Sequence, residues 1–550
     1  AGLVYQVVWT RYLALFLGHT SYAVIAVLAA FMGGLALGNA WLGAVVDRMP
    51  RPLLFYAGLE LGIGVFAVIF PAYYELVHQG FLATVRALEP TGFLRLALQF
   101  VFASVTILIP TVLMGATLPA LTRFVTRSLA ELRGKVAALY AINSSGAVLG
   151  VVFADWWWIP SWGLEMTLYL GATMSLMVGL VALGASRATQ EGTLAPRTVA
   201  TPAGTVEEFT AGQLRLALIA IGVSGFVAML YEIAWTRLLA LALGSSTHAY
   251  SLMLATFISG IAAGGWLIYR WKRQAHTLIA FGLAELALAG TLFVSLWFYD
   301  LLPWWFTKLA GLLARGPAAY PVYELMQALV CFGVMFLPAM CLGTTLPLVS
   351  RVATAELART GRSVGRVFAV NTLGTVLGAI LTGLVFLPQL GLAHTFVLGI
   401  ALNALVGLAV VTGTKRRDWR PWTVGALVIG VALWGASRLE PRWQKAFTLG
   451  LWRSKQPPAT LAEYRTQVNR VDLRYHRDGA GSSVAVMAGI MNDGRETLIL
   501  RVNGKTDATS VGDLATQVLL AQIPLLMKPE ATEVLCLNLC LLYTSPSPRD

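Results

Sequence analysis

The sequence predicts a polytopic α-helical membrane protein of two parallel six-helix repeats, followed by a truncated C-terminal α/β domain that opens on a β-hairpin subdomain. Three observations carry this. Of the 550 residues, 57% are hydrophobic and only 12% are charged, with a mean hydropathy of +0.70; a soluble globular chain carries about 25% charged residues. Apolar stretches recur at the length of about 20 residues that crosses about 30 Å of hydrocarbon as a helix. Residue patterns also return at fixed offsets along the chain. The composition excludes a cytosolic enzyme, a disulfide-rich secreted domain and a disordered regulator.

In chain order, residues 1–17 hold the end of one helix, and spans follow near 22–46, 53–74, 94–118, 136–158 and 163–185. Residues 1–185 form the first repeat. A segment rich in Thr, Pro, Gly and charge, 186–213, reads as a cytoplasmic linker. The second repeat, 214–413, holds spans near 214–235, 248–270, 277–300, 322–348, 364–387 and 392–413, and residues 414–440 hold a basic loop and a candidate thirteenth span at 421–437.

The duplication is read from paired residues. Trp9-Thr10-Arg11 returns as Trp235-Thr236-Arg237, and Phe31, Gly34 and Gly38 as Phe257, Gly260 and Gly264. Gly115, Thr117-Leu118-Pro119 and Arg123 return as Gly343, Thr345-Leu346-Pro347 and Arg351; Asn143, Gly146 and Gly150 return as Asn371, Gly374 and Gly378. These offsets are all 226 or 228 residues. A unit of about six helices has both ends on one side of the membrane, so its two copies run parallel. The same alignment sets Leu3 against Met229, which lies well inside an apolar run, so the chain is expected to start within a helix.

Forty Lys and Arg against 27 Asp and Glu give a net charge of +13. The turns after the second and fourth spans hold Asp47, Arg48 and Arg51, then Arg123, Arg127, Arg133 and Lys135. The matching later turns hold Arg270, Lys272 and Arg273, then Arg351, Arg359, Arg362 and Arg366, and Lys415, Arg416, Arg417 and Arg420 follow the twelfth span. The alternate turns 156–163 and 388–392 are nearly uncharged. Basic residues gathered on one side mark the cytoplasm, so the charge is topology and calls for no nucleic acid partner. Of the four cysteines, Cys331 and Cys341 lie in apolar runs and Cys536 and Cys540 near the end, without the spacing of a metal site.

From residue 441 the character changes. Segments 482–487 and 497–502 are short, rich in Val, Ile and Leu, and bounded by Asp478-Gly479, Asp493-Gly494 and Asn503-Gly504, the signals of hairpin strands. Residues 513–527 have helical spacing, and 533–539 read as a buried strand. If 421–437 crosses the membrane, this domain lies outside the cytoplasm; if 421–437 lies in the interface, or the helix count shifts by one, it lies inside.

Two resemblances join here. Gly43-x-x-x-Asp47-Arg48-x-x-Arg51 is similar to the loop signature of the major facilitator superfamily, a charged latch where two helices pack closely. The segment Leu498 to Asp507, followed by Asp513, Thr516-Gln517 and Ile523-Pro524-Leu525, resembles the front of a spermidine synthase domain. There a hairpin domain precedes a Rossmann-like methyltransferase fold. The combination resembles the fused membrane spermidine synthases of bacteria, with a synthase part at 441–539. This resemblance implies a multi-pass protein of the bacterial inner membrane that transfers an aminopropyl group from decarboxylated S-adenosylmethionine to a polyamine or other amine, with no metal. By the family's spacing Asp507 stands where a Gln is usual, Gln517 matches, Thr516 replaces a Tyr, and Asn503 replaces an Asp. Asp507 and Gln517 are therefore the substrate-binding candidates. The Gly-rich donor turn and the acidic catalytic loop of the family lie beyond Leu539, where residues 540–550 read instead as a translated sequencing adapter. The fragment is expected to lack catalytic residues. The alternatives are a facilitator-like transporter whose C-terminal domain senses polyamine, or one whose tail is a methyltransferase-like domain of another specificity.

Ionisable and amide side chains within spans are expensive and are usually functional or paired. Glu60 and Glu285, Gln99 and Gln327, Asn143 and Asn371, and Arg11 and Arg237 recur as pairs, while Gln6 faces Glu232. Two readings stand for them: a polar cavity between the repeats that binds a cation such as a polyamine, or ion pairs and hydrogen bonds that lock helix packing. Asp155, beside Trp156, Trp157 and Trp158, reads as an interfacial anchor.

Overall fold

The computed structural model describes residues 1–17, 21–188, 209–244, 247–271, 276–312, 319–354, 359–413, 420–454, 457–479, 481–490 and 494–530. Its first group of helices is α1 (Gly2–Leu17), α2 (Ser21–Val46), α3 (Pro52–Leu88), α4 (Gly92–Val125), α5 (Leu129–Phe153) and α6 (Ile159–Ala188). The second is α7 (Ala211–Leu243), α8 (Thr247–Arg270), α9 (Thr277–Leu296), the short α10 (Leu302–Leu312), α11 (Tyr320–Ala353), α12 (Thr360–Leu381), the one-turn α13 (Leu387–Leu390) and α14 (Leu392–Gly413). Then come α15 (Arg420–Thr448), α16 (Leu461–Arg470), strands β1 (Asp472–Asp478), β2 (Ser483–Ile490), β3 (Glu496–Val502) and β4 (Lys505–Thr509), and α17 (Leu514–Met527). Ten stretches of the described residues are long and apolar enough to cross a membrane.

One of those stretches, Glu131–Ala188, is 58 residues long, which as a single rod would measure about 87 Å at 1.5 Å per residue. It is two passes. Gly150 of α5 lies against Val4 of α1 and Gly171 of α6 against the adjacent Tyr5, which requires the chain to fold back between them. The turn is made by Gly163, at φ +78°, a backbone only glycine adopts without strain. Gly391 does the same at φ +79° between α13 and α14. Each turn follows a π-helical stretch, Ala154–Trp158 and Thr382–Phe386, a local widening that is frequent at functional or strained places in a helix.

In lipid no hydrophobic drive brings helices together, so close approach of small residues has to supply the packing. Gly38 of α2 sits where an added Cβ would lie 2.0 Å from the Val112 carbonyl of α4, and Gly264 of α8 where it would lie 2.2 Å from the Met340 carbonyl of α11. Across the two groups, Gly43 and Gly365 bring α2 against α12, and Gly265 brings α8 against Ala141 of α5. The Asp47 carboxylate accepts from the backbone N–H of Gly361 (2.8 Å) and Arg362 (2.7 Å) at the start of α12, with Arg123 Nε at 3.7 Å. The latch expected at Asp47 thus ties the first group of helices to the amino terminus of a helix in the second, where the helix dipole favours an anion.

The helix α15 runs antiparallel to α14. Gly425 near its start lies against Leu408, near the end of α14, while Glu440 near its end accepts from the N–H of Ala393, at the start of α14 (2.7 Å). Beyond it, the two expected strands are part of an antiparallel meander in the order β1-β2-β3-β4. Asn503 and Gly504, at φ +51° and +78°, make the two-residue turn between Val502 and Lys505, the primed turn whose twist suits a hairpin. Asp478-Gly479 marked the end of β1, which the apolar pattern alone had not shown because β1 (DLRYHRD) is polar and largely exposed.

Candidate functional site

Between the two groups of helices lies a cavity of about 250 Å³, lined by residues of both, with Gln6, Tyr140, Ser224, Glu232, Thr345 and Asn371 among its polar walls. Glu232 projects from α7 and is 94% buried, at 6% exposure. Among the described residues no hydrogen bond or ion pair is made by its carboxylate. Tyr250 of α8 stands beside both Gln6 and Glu232. Of the residues singled out from the sequence, Gln6, Glu232 and Asn371 meet in this cavity. A volume near the low end of the 300–1,000 Å³ typical of ligand pockets suits a small cation rather than a nucleoside.

Glu285 lies one layer behind. It is fully buried and close to Ser224 on the cavity wall. Tyr231 Oη donates to Asn403 Oδ1 (2.7 Å), and Asn403 Nδ2 donates to Glu285 Oε2 (2.5 Å). Glu60 in the first group has a related setting. Tyr5 Oη donates to Ser175 Oγ (3.2 Å), and Ser175 and Tyr56 both lie against the Glu60 carboxyl. Sequence reasoning missed the partners Tyr5, Ser175, Tyr231 and Asn403, although Tyr5 and Tyr231, and Ser175 and Asn403, stand at the same offsets of 226 and 228.

The remaining candidates lie elsewhere. Gln99 is buried in α4, Gln327 bonds to Tyr323 on α11, and Asn143 is exposed on α5. Arg11 pairs with Asp155. Asp155 is fully buried, so it holds the π-helical turn to α1 rather than anchoring at the interface. Arg237, at the end of α7, donates to the Gly481 carbonyl (2.7 Å) and to Ser483 Oγ (3.1 Å), at the start of β2, and Ser483 Oγ in turn donates to Asp478.

That contact is one of several that seat the sheet on the helices. Arg501 of β3 donates to the carbonyls of Thr448 (2.7 Å) and Leu449, satisfying the open end of α15; burial lowers the pKa of this guanidinium. Gly450, at φ +56°, packs so tightly on Gly504 that an added Cβ would lie 1.8 Å from the Gly504 carbonyl. Asp300, just past α9, pairs with Arg442 (2.6 Å), and its backbone carbonyl accepts from Tyr464 of α16. Burial raises the Asp300 pKa and Arg442 opposes that rise; burial and the neighbouring Asp300 hold the Tyr464 phenol above its usual range.

Within the sheet, Asp507 is half-buried on β4 and paired with Lys505 (3.3 Å). Gln517 is exposed on α17, and among the described residues no contact joins it to Asp507. Among the described residues little covers α17, and Leu519, Leu526 and Met527 are exposed. The expected strand at 533–539, Cys536, Cys540 and residues 540–550 lie outside the described residues, as do most of the 186–213 linker and the basic residues Lys272, Arg273 and Lys415 to Arg417. No group of three or more metal-ligating side chains occurs among the described residues.

No protein-family model matches the chain. It is similar to polyamine aminopropyltransferase 2 of Streptomyces coelicolor, 26% identical over 223 residues, 39% of this chain and 38% of that protein. It is similar also to polyamine aminopropyltransferase 1 of the same organism, 27% identical over 241 residues, 43% of this chain and 41% of that one. A polyamine aminopropyltransferase of Oceanobacillus iheyensis is 24% identical over 212 residues, 38% of this chain and 37% of the relative. The chain spans about two fifths of the length of these relatives. Among solved structures, a bacterial homologue of the iron transporter ferroportin in the outward-facing state superposes with a TM-score of 0.45 at 13% identity, over 76% of this chain and 99% of that one. The human organic anion transporter MFSD10 gives 0.36 at 14%, over 74% and 98%.

Proposed function

We propose that this chain is part of a membrane-bound protein of polyamine biosynthesis, whose C-terminal domain takes part in aminopropyl transfer from decarboxylated S-adenosylmethionine to an amine. The observation that carries this reading is the similarity to three polyamine aminopropyltransferases, joined to a sheet-and-helix module in the segment that resembles the front of a spermidine synthase. In such a transfer the amine nitrogen attacks carbon, the carbon–sulfur bond breaks, and the nitrogen gives up a proton to a base. The role open to Asp507 and Gln517 is to hold the amine chain, Asp507 exchanging Lys505 for the substrate's cation. The bacterial inner membrane is the location that fits this reading, with the two sets of six helices as a duplicated unit. Calorimetry on the purified full chain tests it: spermidine or a shorter diamine is expected to bind, and Asp507→Ala to weaken that binding at least fivefold. If neither amine nor sulfonium nucleoside binds, the reading falls.

A second reading is favoured by Glu232. A carboxylate buried on the wall of a cavity, with no cation supplied by the described residues, is the site a membrane protein offers to a mobile cation. On this reading the helical region moves an amine and the C-terminal domain binds it. Uptake of radiolabelled spermidine into vesicles is then expected to fall at least tenfold in Glu232→Gln, and unchanged uptake would remove this reading.

A further inference from the structure

We infer that the C-terminal sheet domain is seated on the extracytoplasmic face of the membrane, at the helix ends opposite the basic loops. Two sets of contacts, at the two ends of the bundle, carry this. At one end Asp47 caps α12 and stands by Arg123, and Arg133 donates to the Trp271 carbonyl (3.0 Å). The short turns there carry Arg48, Arg51, Arg127, Arg270, Arg359 and Arg362. At the other end, the sheet domain is held by Arg237 at the end of α7, by Thr448 and Leu449 at the end of α15, and, through α15 and α16, by Asp300 just past α9. Among the described residues the helix ends there carry Arg86, Arg95, Lys308, Arg438, Arg442 and Lys445, balanced by Glu75, Glu89, Glu165, Asp300, Glu324 and Glu440, so that end has no net basic excess.

The helix α15 is the link that decides the side. Although less apolar than the ten stretches above, it leaves the basic end at Arg420, lies along α14 in the opposite sense, and delivers Glu440 to the amino terminus of α14. Its 29 residues extend about 44 Å at 1.5 Å per residue, more than the hydrocarbon thickness of about 30 Å. A helix lying in the interface could not touch both ends of α14. With the basic end in the cytoplasm, the sheet domain stands outside it.

The placement bears on supply. A sulfonium nucleoside carries a fixed positive charge and does not cross lipid unaided. If the domain uses one, a transport step must bring it or the domain must take it up from outside; this consequence rests on the aminopropyl reading, whereas the orientation does not.

The test is cysteine labelling of the full chain in spheroplasts with a membrane-impermeant maleimide, the four native cysteines first changed to Ser. Tyr475, exposed on β1, and Arg48, exposed at the basic end, are the reporters. Tyr475→Cys is expected to label in intact spheroplasts and Arg48→Cys only after lysis. The reverse pattern, or a Tyr475→Cys protected until lysis, overturns the inference. Arg477→Cys on the same strand serves if Tyr475→Cys does not accumulate. An amine-binding failure in calorimetry would leave this outcome untouched.

Discussion

Arg11 and Arg237 occupy similar places, near the ends of helices 226 residues apart, and they are used differently. Arg11 closes on Asp155 of the neighbouring turn, so its charge is spent inside the first group of helices. Residue 383, which stands 228 places after Asp155, is glycine, and among the described residues of the second group no acid pairs with Arg237. It reaches out of the bundle to Gly481 and Ser483 instead. The carboxyls Glu60 and Glu285 diverge in the same way. Asn403 both accepts from Tyr231 and donates to Glu285, whereas a serine, with one proton, stands in the corresponding place of the first group. Close helix contacts at glycine occur in both groups, and the second group carries further polar contacts: one to the sheet domain, one to Glu285, and the carboxylate of Glu232 where the first group has Gln6. The two groups of helices differ most where residues 226 or 228 places apart stop matching.

The largest effect is expected where the shared framework itself is attacked. Gly343→Leu on α11 would place a Cβ 2.1 Å from the Ile261 carbonyl, and Gly115→Leu on α4 would place one 2.3 Å from the Leu35 carbonyl. Backbone atoms cannot step aside, so both variants are expected to lose about 3 kcal/mol or more and to give little folded protein in detergent size-exclusion traces. Gly333→Leu, on the same α11 with nothing within 4 Å, is expected to run as the parent. Equal damage from all three would show that the tight glycine contacts do not hold the helices.

The next effect separates the two carboxyl networks. Asn403→Ala leaves Tyr231 Oη and Glu285 without their partner in a fully buried place, at an expected cost of about 2–3 kcal/mol. Ser175→Ala removes one hydroxyl from a less enclosed site and should cost about 1 kcal/mol. Thermal unfolding followed by tryptophan fluorescence measures both, and a larger loss in Ser175→Ala would reverse the comparison. A smaller but more specific contrast belongs to the arginines. Asp155→Asn should cost the bundle about 1–2 kcal/mol, since Arg11 is partly exposed. Arg237→Gln should leave bundle unfolding nearly unchanged while raising protease cleavage between α15 and β1 several-fold.

Much of the helical frame was legible because it rests on local rules: apolar length, glycine spacing and basic turns are all written within one or two spans. The Asn503-Gly504 turn was legible for the same reason, its two positive φ angles being what that dipeptide favours. What was not legible depends on chain reversals and long-range approach. Asp155 looks like an interface residue beside three tryptophans until Gly163 folds α6 back and Arg11 arrives from 144 positions away. The polar candidates form one list in the sequence, yet Glu232, Asn371 and Gln6 share a cavity while Gln99, Gln327 and Asn143 do not, because helix rotation decides which face a residue shows. The far side of the membrane as the seat of the sheet turned on α15, whose modest hydropathy leaves its path open until both ends are seen against α14.

The smallest effect concerns the latch at the basic end, where the two groups of helices are joined by Asp47. Its carboxylate gains two backbone N–H bonds and the nearby Arg123, yet burial outweighs these and raises its pKa above the ordinary carboxyl value. The sign follows from linkage. A carboxyl that ionises less readily in the folded chain than in the unfolded one binds its proton more tightly when folded. Its contribution to stability is therefore greatest below the unfolded value near 3.8 and is lost as the pH rises through the folded pKa. Asp47→Asn keeps an acceptor for the α12 amino terminus and removes the titration. The difference in unfolding free energy between parent and variant is thus expected to shift in the parent's favour on acidification from pH 6 toward pH 4, by less than about 1 kcal/mol. A shift of opposite sign in denaturant titrations at the two pH values would mean that the helix terminus and Arg123 outweigh burial, and that the latch is a net attraction between the two groups of helices at neutral pH.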